Sequence, residues 1–282
     1  MQPTVIASRY RLEQLIGRGA SAEVFRATDL HTQHAVAIKL MAGSTDQLTD
    51  AAGDNTRELD AARRLSHPGI AAVLDAGRIA NRNWLAMPLV AGAALTRYTE
   101  RSRLLPEPLV LRLVASVARA LAHAHAQGVV HRDLKPSNVM VDLTAAHATV
   151  LDFGVARIDQ RLTTRTGLTL GTPSYMAPEL LSGQAASPAS DIYALGVMMF
   201  EMLCAERPHQ ASSLGQLLRA IASEPAVDIR TRRADLPETV AEAVNSMVNA
   251  QPTRRPHDLQ ALAVRLDQLA AELEPHELRE GR

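Results

Sequence analysis

His131-Arg132-Asp133-Leu134-Lys135-Pro136-Ser137-Asn138 gathers an aspartate, a lysine and an asparagine into one short segment, and Asp152-Phe153-Gly154 and then Ala177-Pro178-Glu179 follow it in order. Each of the two tripeptides recurs by chance and is weak alone, whereas the three segments in this order form a strong signal. Upstream the chain alternates β-prone runs with turns: Tyr10 to Ile16, a glycine-rich turn, Glu23 to Thr28, a polar turn at Asp29 to Gln33, then Ala35-Val36-Ala37-Ile38-Lys39-Leu40. That pattern predicts three antiparallel strands.

A helix is expected from about Asp54 to Leu65, stopped by Ser66-His67-Pro68-Gly69. Two further β-prone runs, Ile70 to Asp75 and Trp84 to Val90, would complete a five-stranded sheet. Helical periodicity then takes over in Leu109 to Gln127, Ile192 to Leu203, Thr239 to Asn249 and Leu259 to Leu273. The expected architecture is α+β with two lobes: a small five-stranded antiparallel β lobe with one main helix (1–90), a larger mostly helical lobe (91–273), and a polar tail (274–282). A ligand would enter between the lobes.

Composition narrows the function classes. Lys plus Arg and Asp plus Glu are both 30, so the basic excess of a nucleic-acid binder is missing. A single cysteine, Cys204, excludes an intrachain disulfide and a four-thiolate metal site and points to a reducing compartment. No run of 18 or more apolar residues is free of charge or breaker, and Met1 to Arg11 lacks the apolar core of a signal peptide, so no membrane span and a cytoplasmic location are expected.

The chemistry-bearing positions upstream are individually modest. Gly17-Arg18-Gly19-Ala20-Ser21-Ala22 would let backbone amides approach phosphates, yet a Gly-x-Gly turn is more often only a hairpin. A dinucleotide fingerprint is disfavoured because a strand, not a helix, follows the glycines. In simple alternation Ala37 and Lys39 share one face, leaving room for a flat base while the ammonium reaches phosphates. A lone strand lysine is usually a solvated edge residue. Glu58 on the following helix would orient Lys39, although a solvated carboxylate is the plainer reading. His123 and His125, two apart on a helix, face different directions and carry no metal role.

Taken with His131 to Asn138, Asp152 to Gly154 and Ala177 to Glu179, the chain from about Tyr10 to Leu273 resembles eukaryotic-type (Hanks-type) serine/threonine protein kinases of the bacterial sort. The resemblance implies an ATP- and Mg2+-dependent enzyme acting on Ser/Thr hydroxyls of proteins. By it, Asp133 accepts the hydroxyl proton, Lys135 lies beside the γ-phosphate, and Lys39, oriented by Glu58, holds the α- and β-phosphates. Asn138 and Asp152 would bind magnesium. Ile16, Gly17 and Gly19 would cover the nucleotide, with Val24, Ala37, Met140 and Leu151 around the base, Met87 as gatekeeper, and Pro88-Leu89-Val90 as the hinge. Asp191 would hold the amides of the catalytic loop, and Arg255 would pair with Glu179. Ala22 replaces the third glycine of the phosphate loop.

A pseudokinase scaffold is disfavoured because none of these charged positions is lost. A small-molecule phosphotransferase of related fold would lack Ala177-Pro178-Glu179 and the threonine-rich stretch before it. Lys135, two residues after Asp133, and Thr172 ahead of Pro173 resemble serine/threonine kinases and differ from tyrosine kinases. Between Gly154 and Ala177 lie Thr163, Thr164, Thr166 and Thr169 with Arg161 and Arg165. A phosphate there would bond Arg132 and order the segment, so autophosphorylation is expected, first on Thr164 or Thr166. The sequence is silent on oligomeric state and on any further domain of a longer protein.

Overall fold

Strand pairing starts earlier than the alternation suggests. The computed structural model describes residues 4–19, 22–41, 61–153 and 173–274, and within them β1 (Val5–Ile6), β2 (Tyr10–Arg18), β3 (Ala22–Asp29), β4 (Ala35–Met41), β5 (Asp75–Ile79) and β6 (Arg82–Pro88) form one sheet. Its order is β1-β2-β3-β4-β6-β5, antiparallel at every step. The sheet therefore has six strands rather than the expected five. The extra strand is only two residues long, too short to show a period; it pairs Ile6 with Tyr10, and both side chains are buried.

The expected strand over Ile70 to Asp75 is also corrected. Ile70 and Ala71 are buried without forming a strand, and β5 begins at Asp75, where a tight hairpin sets Ile79 opposite Arg82. Ala80 in that turn takes a φ of 50°, the left-handed conformation of two-residue hairpins. Of the helix expected from Asp54 to Leu65, residues 61–64 are helical; 42–60 lie outside the described residues.

Two-residue periodicity divides the sheet's side chains between its faces. Val36, Ile38 and Leu40 pack with Ile6, Tyr10, Ala27, Trp84 and Ala86 on one. Ala37 and Met41 pack with Leu85 and Met87 on the other, joined by half-buried Val24 and Leu89. The chain divides into two compact units. Ile70–Val90 and Phe153 fall with the described residues up to Ser66 in the first. The second unit holds His67–Gly69, Ala91–Asp152 and the described residues from 173 on.

In the second unit a small sheet, β7 (Ala93–Ala94), β8 (Val139–Asp142) and β9 (His147–Val150), accompanies α1 (Glu107–Ala126), α2 (Pro178–Leu181), α3 (Pro188–Cys204), α4 (Leu214–Ser223), α5 (Glu238–Met247) and α6 (Leu259–Leu273). The last begins and ends where its periodicity predicts. Asp258 caps it by accepting from the amides of Gln260 and Ala261. Helix α3 is buried from Ser190 to Cys204, as a helix apolar on all sides must be. A Cβ on Gly196 would lie 2.6 Å from that of Met247, so only glycine permits this approach of α3 to α5. Helix α1 is long and apolar enough to cross a membrane, but 56% of that window is buried within the protein, where it packs on α3, α6 and β9.

Tyr193 of α3 is fully buried beside Ala177, Val197 and Val248, and its hydroxyl has no hydrogen-bond partner among the described residues. Burial pushes the phenol well above its ordinary value. Tyr193→Phe is expected to leave stability unchanged or raise it by about 1 kcal/mol, because the desolvated hydroxyl is not compensated. Urea titration checks this: a clear loss of stability would mean that the hydroxyl is bonded.

Candidate active site

In the first unit, Lys39 sits on the same face of β4 as Ala37 and Met41, with Val24 of β3 and Leu85 of β6 as its cross-strand neighbours. Ala37 pairs with Met87, and Leu89 packs beside them. The lysine thus rises from a patch of small and apolar side chains, with Ala37 the least bulky of them. Gly17 and Gly19 lie at the β2 end of the hairpin, where the Gly19 amide donates to the Ala22 carbonyl at 2.8 Å. An added Cβ at either glycine would make only ordinary contacts, so nothing in the described packing demands glycine there. Ile16 is 47% exposed, which leaves its side chain available to a ligand. Ala20, Ser21 and Glu58, and with Glu58 its expected pairing to Lys39, lie outside the described residues.

The second unit builds its site around one buried carboxylate. Asp191, at the start of α3 and 1% exposed, accepts the His131 amide at 2.8 Å and the Arg132 amide at 3.0 Å. His125 Nε2 meets the same carboxylate at 2.8 Å. A buried charge with three partners is tolerated where an isolated one would not be. It fixes the backbone just before Asp133, where Arg132 has a φ of 71°. Left-handed conformations at non-glycine residues are costly and gather at functional sites.

Asp133 is then positioned by its successors. Its Oδ2 accepts from Lys135 Nζ at 2.7 Å and from Asn138 Nδ2 at 3.3 Å, and its carbonyl accepts from Asn138 Nδ2 at 2.8 Å. Because the Asn138 amide nitrogen is committed to Asp133, its oxygen points the other way and remains an acceptor, as a hard cation requires. The Leu151 amide donates to the Asn138 carbonyl at 2.8 Å, tying the residue next to Asp152 to the loop. His131 Nε2 meets the Leu151 carbonyl at 2.8 Å. Asp152 itself has a φ of 64°. Met140, on β8, pairs with Ala94 and Thr149.

The donors fit magnesium: one carboxylate and one amide oxygen, both hard oxygen ligands. No group of three or more His, Cys, Asp or Glu side chains able to hold a metal occurs among the described residues.

Farther from the site, Arg255 pairs with both oxygens of Glu179, at 2.7 and 2.8 Å. Burial alone would raise the Glu179 carboxyl, but the bonds from Arg255, a backbone amide and the Ser190 hydroxyl together hold it below the ordinary 4.5.

The model of the protein kinase domain matches residues 10–266. The chain belongs to the protein kinase domain family. This kinase chain is 38% identical over 267 residues to the DNA damage-responsive serine/threonine-protein kinase RqkA of Deinococcus radiodurans, covering 92% of the chain and 39% of that protein. It is 35% identical over 274 residues to serine/threonine-protein kinase pkn3 of Myxococcus xanthus (93% and 50%) and 33% identical over 264 residues to PknA of Mycobacterium tuberculosis (90% and 60%). The kinase chain thus spans between 39% and 60% of the length of these relatives. The crystal structure of the Mycobacterium tuberculosis PknI kinase domain superposes with a TM-score of 0.75 at 25% identity, over 95% of the kinase chain and 99% of that domain.

Two site features escape a reading of the sequence. Helical spacing sets His125 aside together with His123, yet it bonds Asp191; its position in the last turn of α1, ahead of His131, is the only available signal. The orientation of the Asn138 amide has no sequence signature at all.

Proposed function

We propose that the kinase chain transfers the γ-phosphate of ATP to serine and threonine hydroxyls of proteins in the cytoplasm. The observation that carries this reading is the Asp133 carboxylate, exposed at 43%, with one oxygen held by Lys135 and Asn138 on a backbone anchored by Asp191. Such a carboxylate is placed to orient a hydroxyl and take its proton. Lys135 is set to offset charge at the transferred phosphate, and Lys39 to hold the α- and β-phosphates. Magnesium, when bound by Asn138 and Asp152, would neutralise charge on the phosphates. Ile16, Gly17, Gly19, Val24, Ala37, Met87, Leu89, Val90 and Met140 are assigned to the nucleotide, with Glu58 orienting Lys39. Lys135 two residues after Asp133 favours serine and threonine as acceptors. The balanced charge of 30 basic and 30 acidic residues speaks for proteins rather than nucleic acid as partners.

We assign regulation to autophosphorylation between Thr163 and Thr169. These threonines, with Arg161, Arg165 and Thr172, lie outside the described residues, and the assignment rests on their composition. The test is phosphorylation of a generic basic protein with magnesium and labelled ATP. Lys39→Met should lower the rate on the order of a hundredfold or more while the fold persists. Mass spectrometry of the chain after incubation with ATP should find phosphate on Thr164 or Thr166. Parental activity of a folded Lys39→Met protein would overturn the catalytic reading, and full activity with all four threonines replaced by alanine would overturn the switch.

A further inference from the structure

A cavity of about 320 Å³ opens in the second unit, lined by His67, Pro68, Arg112, Ser116, Arg119, Ala145, Ala146, His147 and Asp267. None of these residues takes part in the catalytic arrangement above. Four elements build it: the turn before residue 70, one face of α1, the β8–β9 turn and α6. Arg112, Ser116 and Arg119 stand four and seven residues apart on α1, so they share one face of the helix. The β8–β9 hairpin is docked against that face, since Ser116 Oγ accepts the Ala148 amide at 3.1 Å and lies 3.3 Å from His147 Nδ1. His147 Nε2 in turn lies 3.2 Å from the Pro68 carbonyl. That oxygen only accepts, so the His147 ring donates to it through Nε2.

The lining gathers two guanidiniums, two imidazoles and a serine hydroxyl beside Asp267, while the carboxylate of Glu274 pairs with Arg112 just past α6. Arg112 donates to Glu274 at 2.7 Å and Arg119 to Asp267, each through one terminal nitrogen. A guanidinium has five N–H groups, so most of their donors are uncommitted among the described residues. The His67 imidazole is held below its ordinary value, by burial first and then by His123 and His147, so it enters the lining as a neutral hydrogen-bonding ring. A surface needed only to join α1 to α6 would require two ion pairs but no cavity and no histidines.

We propose that this cavity is a binding site for a small phosphate-bearing ligand, with Arg112 and Arg119 as its principal donors and His67, Ser116 and His147 completing the shell. The volume is at the lower end of small-molecule sites, which suits a phosphate ion or a small phosphomonoester rather than a peptide. Paired guanidinium donors match phosphate oxygens in geometry and charge. Asp267 holds Arg119 in place and competes with the ligand for it. The assignment is independent of the kinase reaction.

The test is calorimetry with two probes, inorganic phosphate and glycerol 3-phosphate, titrated into the whole chain with a non-hydrolysable ATP analogue and magnesium at saturation, so that nucleotide sites are filled. Binding of at least one probe is expected. Arg112→Gln combined with Arg119→Gln should weaken it by about tenfold or more, the usual worth of charge-assisted bonds. Asp267→Asn should tighten it by about threefold or more, because the competitor for Arg119 is removed. That gain is the discriminating result, since a purely structural pair predicts no change or a loss. Tighter binding of glycerol 3-phosphate identifies a phosphomonoester as the ligand, and equal binding identifies phosphate itself. The site is overturned if neither probe binds, if the double substitution leaves affinity unchanged, or if Asp267→Asn fails to improve it.

Discussion

Asp133→Asn is expected to lower phosphoryl transfer by about 10²- to 10⁴-fold with little effect on the fold. The substitution keeps the shape of the side chain and removes its capacity to accept a proton. Lys135 Nζ, now 2.7 Å from Oδ2, would lose a charged partner, and Asn138 would keep its 2.8 Å bond to the residue-133 carbonyl. The backbone is held from the other side, by the Asp191 bonds to the amides of His131 and Arg132. With a side chain 43% exposed, the substitution leaves no buried group stranded. Initial rates at saturating ATP, together with thermal unfolding, check both halves. A folded variant phosphorylating at the parental rate would remove Asp133 from the role assigned to it.

The second large effect is on stability. The Arg255 side chain is 0% exposed, and its donors are fully used. Nε bonds the Asn249 carbonyl at 2.8 Å, one terminal nitrogen bonds Glu179 at 2.7 Å and the Ala189 carbonyl at 2.8 Å, and the other bonds Glu179 at 2.8 Å and the Ala250 carbonyl at 3.3 Å. Five bonds from five N–H groups leave no donor over. Its guanidinium also lies 4.9 Å from the centre of the Tyr193 ring. Arg255→Ala strips Glu179, itself 6% exposed, of its counter-charge. The expected cost is about 3–5 kcal/mol, a large part of a normal folding free energy of about 5–15 kcal/mol. Arg255→Lys should be intermediate, since three donors cannot serve five acceptor positions.

The pH dependence follows from the direction of the Glu179 shift. In the parental chain the carboxyl is held below its ordinary 4.5, so its contribution is fully present above that value and is lost as pH falls below it. Without Arg255, burial, the largest influence on Glu179, is opposed only by a backbone amide and the Ser190 hydroxyl, so the carboxyl moves upward and the variant is penalised most at neutral pH and recovers on acidification. The stability gap between the two proteins should therefore narrow as pH falls toward and below about 4.5. Urea titrations at neutral and acid pH measure it; a gap that widens on acidification would contradict the assignment.

Much of this protein was legible in its residues taken in order. The loop from His131 to Asn138, with Asp152-Phe153-Gly154 and Ala177-Pro178-Glu179 after it, named the family, because three such segments in that order are a specific signal. The alternation over Ala35 to Leu40 placed Ala37 and Lys39 on one face, because strand geometry allows no other arrangement. The periodicity and Asp258 cap of Leu259–Leu273 set that helix's limits, because both act within a few residues.

Tertiary structure decided the rest. Ile70 and Ala71 look like strand residues and are core instead, while Asp75–Ile79, with its glycine and arginine, is a strand because β6 offers it a ladder. Val5–Ile6 becomes a strand only by pairing across β2, and α4 (Leu214–Ser223), where Ile221 is the one buried residue, had no expectation attached to it. His125 reaches Asp191, Asn138 turns its amide toward Asp133, and Arg112 and Arg119 face the His67 turn and His147 across a cavity. Each of these depends on partners distant in sequence or on the rotation of a single side chain. Local propensity carries no record of either, so only packing of the whole unit settles them.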